Sequence, residues 1–135
     1  MSWGVCRRYL RKAAHLMETA DVDAFAHVDY PLRSIRTELP CDAFRAELTE
    51  LYEALVRRGI VLELNTSRLG DEAARANLLE MYRLYAQCGG RYATLGSDAH
   101  EPQEIGDHFD IALDLLRSCQ LSPVHFCRRR MVVDQ

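Results

Sequence analysis

Four times along this chain, apolar residues at helical spacing give way to a short run of consecutive apolar residues. No other feature limits the fold as much. Leu10, Ala13, Ala14 and Met17 line one face of a first helix, and a strand follows over Val22–His27. After Pro40, Phe44, Leu48, Leu51 and Leu55 mark a second helix, with Gly59 placed to end it. The β-branched and apolar run Ile60–Asn65 is the second strand. Asp71 can cap a third helix carrying Ala74, Leu78, Met81 and Tyr85, stopped by Gly89-Gly90. Tyr92–Gly96 is the third strand, and a fourth helix runs from about Ile105 to Cys119 with Ile111, Leu115 and Leu116 inward. A last strand starts at Val124-His125-Phe126 and is expected to continue past the arginines to Val133.

Strands alternating with helices of a dozen or more residues predict an α/β chain of right-handed parallel βα units. Four such units amount to about half of a β/α (TIM-like) barrel. The 135 residues suffice for one hydrophobic core, and the sequence holds no linker, low-complexity segment or repeated motif. The net charge of -3 and scattered basic residues give no electrostatic footprint for nucleic acid; Arg128-Arg129-Arg130 is too short to make one. No apolar stretch approaches a membrane span, and the amino terminus lacks the apolar run of a secretory signal. The five cysteines show no C-x-x-C spacing and read as single thiols in a reducing compartment. A cytoplasmic protein is expected.

The polar residues that interrupt the apolar pattern gather at the carboxyl ends of the strands. His27-Val28-Asp29 closes the first, Glu63-Leu64-Asn65-Thr66-Ser67 the second and Gly96-Ser97-Asp98-Ala99-His100 the third. In β/α proteins that rim is where ligands bind. Asp98 and His100 form an Asp-x-His pair that can aim a carboxylate and an imidazole at one metal ion, with Gly96 letting the backbone turn tightly; the same pair also suits a helix cap with a surface His. His27 by itself reads as a ligand or as a satisfied structural residue. Glu63 alternates with Leu62 and Leu64, so it faces a barrel lumen or solvent. Asn65, Ser67 and Arg68 combine donors with a guanidinium, as an anion requires, although Asn-Thr-Ser is also turn chemistry. Arg33 could reach over the same rim or lie on a solvated loop. His15, His108 and His125 read as structural or surface residues, and the tyrosines as packing.

At these residues the sequence resembles the histidinol-phosphatase branch of the PHP (polymerase and histidinol phosphatase) family. The matching stretches are Ala26-His27-Val28-Asp29, Leu62–Ser67 and Thr94–His100, with Gly106–Ala112 similar to the helix that follows. The resemblance implies a distorted β/α barrel with two or three divalent metal ions (zinc, manganese or iron). It also implies hydrolysis of a small phosphomonoester, L-histidinol phosphate, by metal-activated water in histidine biosynthesis. It assigns His27, Asp98 and His100 as metal ligands, with Asp29 and Glu63 behind them. Arg33 stands at the position of a phosphate-contacting Arg, alongside Asn65, Ser67 and Arg68. A second such Arg is expected slightly later than Arg68, where this chain has Gly70.

The family's opening His-x-His motif has no counterpart in the sequence. Residues 1–135 are therefore expected to be a single partial domain, the later half of the barrel, unable to hydrolyse by itself. Its expected partner is a chain carrying the earlier half, or a second copy across an open strand edge. A reading from another class is a non-catalytic β/α module that oligomerises through that edge and binds an anion at Arg33, Asn65 and Ser67. A different PHP phosphoesterase activity is the third.

Overall fold

The computed structural model describes residues 3–26, 41–66, 69–96 and 108–134. Helix α1 spans Trp3–Met17 and strand β1 Ala24–Phe25. A 3-10 turn at Cys41–Phe44 leads into α2, Arg45–Arg58, followed by β2, Val61–Asn65. Then come α3, Glu72–Gln87, and β3, Tyr92–Gly96; α4, Phe109–Ser118, precedes β4, Ser122–Cys127, and β5, Arg130–Val133. The strands form one sheet in the order β1-β2-β3-β4-β5, with β1 to β4 parallel and β5 antiparallel to β4. This is the α/β architecture of parallel βα units that the alternation predicts.

The helix boundaries follow from local chemistry. Gly59 ends α2 in the left-handed conformation at φ 69°, where a side chain would be strained. The Asp71 carboxylate accepts the Ala74 N–H at 3.0 Å, satisfying one of the open donors at the start of α3. Past the end of α3, the Gly90 N–H returns to the Tyr85 carbonyl at 2.9 Å, and a Cβ on Gly90 would meet the Tyr85 ring at 2.5 Å.

One apolar cluster holds the elements together. Leu10, Ala13, Ala14 and Met17 of α1 join Leu48, Leu51 and Leu55 of α2; Leu62, Leu64 and Ala93 come from the sheet, and Leu78, Met81, Leu115 and Leu116 from α3 and α4. At the α1–α2 contact, Glu47 is 8% exposed and lies between Arg7 at 3.4 Å and Arg11 at 3.5 Å, so its buried charge is matched.

Two elements differ from the sequence expectation. The first strand is two residues long, and Val22, expected inside it, is exposed. The chain also does not continue straight from Val124 to Val133. It reverses at Arg128 and Arg129, whose φ values of 51° and 64° make a tight two-residue hairpin turn. The apolar run alone could not show this, because neither arginine is a usual turn residue. The Arg129 guanidinium reaches Asp21 at 2.8 Å and Asp23 at 3.2 Å, just ahead of β1 at the other end of the sheet. Met131 of β5 lines a cleft with Gly59, Ile60, Tyr85 and Tyr92, beside the amino-terminal ends of β2 and β3. The β4–β5 hairpin thus crosses the amino-terminal rim and leaves the opposite rim to the strand-end residues.

Candidate functional site at the carboxyl rim of the sheet

Parallel register assembles the rim. Leu64 lies beside Leu95 and Asn65 beside Gly96, so β2 and β3 end level with each other; β1 pairs alongside through Phe25 and Leu62. Alternation sends Leu62 and Leu64 into the helix-backed cluster and turns Glu63 and Asn65 to the other face. Glu63 pairs with Thr94, placing a carboxylate, a hydroxyl and a carboxamide together on that face.

Glu63 is half-buried. A Cβ on Gly96 would stand 3.0 Å from both the Glu63 carboxyl carbon and Oε2. A side chain at position 96 would thus require this carboxylate to shift by a few tenths of an ångström. From the opposite side, the buried Tyr82 hydroxyl donates to the Glu63 carbonyl at 2.7 Å and ties β2 to α3.

Among the described residues, two buried hydroxyls near the ends of β2 and β3, Thr66 Oγ1 and Thr94 Oγ1, have no hydrogen-bond partner. Thr66 is 0% and Thr94 8% exposed, and such groups cost stability when left unpaired. The Glu63 carboxylate, the Asn65 carboxamide and the Thr94 hydroxyl are hard oxygens of the kind a divalent cation takes. Neither threonine stands out in the sequence, because a Thr in a strand ordinarily signals β propensity.

Of the residues expected to form the site, His27, Asp29, Arg33, Ser67, Arg68, Asp98 and His100 lie outside the described residues. In the chain, His27 follows Ala26 directly, and Asp98 and His100 are two and four positions beyond Gly96. Among the described residues no group of three or more His, Cys, Asp or Glu side chains could hold a metal ion. Gly70, at the position expected for a second phosphate-contacting Arg, is covered by the His108 imidazole, whose Nε2 would be 3.0 Å from an added Cβ. His108 itself is half-buried with φ 59° at the start of α4, a contact that its sequence neighbours do not announce. His15 is exposed, and His125 is exposed on the hairpin with its Nδ1 bonded to Asp134. No helix among the described residues is long and apolar enough to cross a membrane.

The mostly parallel sheet with its polar strand-end rim defines an α/β protein of the kind that binds ligands at the carboxyl ends of its strands. The chain is similar to a probable histidinol-phosphatase of Clostridium acetobutylicum, 36% identical over 113 residues, covering 82% of this chain and 44% of that protein. A probable histidinol-phosphatase of Thermotoga maritima is 32% identical over 102 residues, covering 76% of this chain and 43% of that protein. This chain is thus a homologue of proteins named probable histidinol-phosphatase, and it spans less than half the length of these two. A crystal structure of histidinol phosphate phosphatase from Lactococcus lactis subsp. lactis, complexed with zinc, L-histidinol and phosphate, matches with a TM-score of 0.78. That match covers 96% of this chain and 51% of the other at 21% identity, and it shows the fold. No family model matches the chain.

Proposed function

We propose that the chain is the later part of a metal-dependent phosphomonoesterase whose substrate is a small phosphate ester of the L-histidinol phosphate type. The carrying observation is the rim where Glu63, Asn65 and Thr94 meet beside Gly96, on a fold shared with a zinc-, histidinol- and phosphate-bound enzyme. In this reading His27, Asp98 and His100 hold a divalent ion. When bound, such an ion lowers the pKa of water and offsets the negative charge of the ester. Asp29 and Glu63 orient those ligands and keep the imidazoles in the ligating tautomer. Arg33, Asn65, Ser67 and Arg68 bind the phosphate oxygens and align the phosphorus for attack by water, with the alcohol leaving as L-histidinol.

Full activity is proposed to require the residues that the relatives carry beyond the matched span, because three ligands leave an ion open and weakly held. Elemental analysis of the purified chain, with turnover of L-histidinol phosphate in the same sample, tests both parts. The expected result is little metal and no turnover by the chain itself. Metal and turnover should both appear when the missing part of a relative is supplied, and both should vanish in Asp98→Ala and His100→Ala. Near-stoichiometric metal with turnover in the isolated chain would overturn the incompleteness. Metal or turnover unaffected by these two substitutions would overturn the site.

A further inference from the structure

Strand β5 sits at the end of the sheet order, and among the described residues it has a strand neighbour on one side alone. Its centre is Met131-Val132-Val133, exposed at 41%, 40% and 47%, with no Pro or charge to blunt the free edge. The direction of its free backbone groups follows from one bond. The Asp134 N–H donates to the Pro123 carbonyl at 2.8 Å, marking that pair as a bonded rung of the hairpin. By antiparallel alternation, Met131 and Val133 then point their N–H and C=O groups away from β4.

We propose that β5 pairs antiparallel with β5 of a second copy of this chain about a two-fold axis at Val132. In that register Met131 and the second copy's Val133 exchange their outward hydrogen bonds, and the two Val132 side chains meet on the axis. Arg130 then faces the second copy's Asp134, twice by symmetry. The sequence Arg130-Met131-Val132-Val133-Asp134 is therefore complementary to itself, as a two-fold interface requires. Val132, Arg130 and Asp134 share one face of the strand, so both ion pairs flank the valine contact. Arg130 forms no ion pair among the described residues, whereas Asp134 is held in place by His125 Nδ1. The contact is short, so the dimer dissociates on dilution.

The inference rests on the hairpin and not on the phosphatase reading, and its test reads mass instead of turnover. Sedimentation velocity of the chain over a concentration series should show a monomer–dimer equilibrium. Arg130→Asp and Asp134→Arg should each weaken it by about tenfold or more, since each places like charges opposite one another twice. An equimolar mixture of those two variants should dimerise again, because both contacts become complementary between unlike chains. Val133→Pro, which removes an outward N–H and spares the bonds to β4, should leave a monomer. A monomer at every concentration, a dimer unchanged in both charge variants, or a mixture that stays monomeric would each overturn the proposal. So would a monomer that associates solely with the missing part of a relative.

Discussion

The two faces of β2 are built to different rules. Leu62 and Leu64 lie 0% exposed against helices, whereas Glu63 between them stays half-buried beside Thr94 and Gly96. The first face is an apolar seam closed by the chain's own helices. The second carries polar groups toward the carboxyl rim. The lesson is that stability and chemistry are separated by the two-residue period of a strand. Substitutions one position apart should therefore report on different properties.

The largest expected effect is on the closed face. Leu62→Ala should lose about 2–5 kcal/mol in chemical denaturation, because the cluster around it is filled and cannot collapse into the space. Glu63→Ala should cost about 1 kcal/mol or less by the same measurement. Equal losses would erase the distinction between the faces. Next comes Gly90→Ala, in which a new methyl 2.5 Å from the Tyr85 ring forces that side chain away from the Tyr92 carbonyl it bonds at 2.8 Å. About 1–3 kcal/mol should be lost.

Tyr82→Phe sharpens the comparison further, since it removes the 2.7 Å bond that ties the Glu63 carbonyl to α3 while keeping the ring. A loss of about 1 kcal/mol is expected, and more if the carbonyl is left unpaired. The smallest effect belongs to the Arg129 clasp, where both partners of the Arg129–Asp21 contact are exposed. Hydrogen bonding from Arg129, and then its charge, hold the Asp21 carboxyl below its ordinary value of 3.8. A depressed carboxylate contributes stability that is present above the unfolded value and lost as pH falls through the folded one. Thermal melts should therefore show a small deficit for Arg129→Ala at neutral pH, closing below about pH 4 and shrinking in high salt.

Burial acts in the other direction on Tyr85, pushing its phenol up to about 12. Its contribution is complete below the ordinary value of 10.0 and lost as pH rises through the folded one. Spectroscopic titration should find this tyrosine ionising together with alkaline unfolding, well after exposed tyrosines.

Much of the fold was legible in the residues, because periodicity records which side chains must leave water. The stripes of α1, α2 and α3, the cap at Asp71, the stop at Gly59 and the bounds of β3 all follow from local patterns. The hairpin was not legible: Arg128 and Arg129 adopt positive φ without turn chemistry of their own, and Arg129 is held by carboxylates 106 and 108 positions away in sequence. The polar strand ends could be read as a rim, yet the neighbours within that rim could not. Sequence alternation determined that Glu63 faces away from Leu62 and Leu64. Tertiary structure decided what lies there: Thr94 in register beside it, its buried hydroxyl without a partner among the described residues, and Gly96 leaving room for its carboxylate. A strand's own period dictates the direction of a side chain, whereas its neighbours depend on pairing between segments distant in sequence.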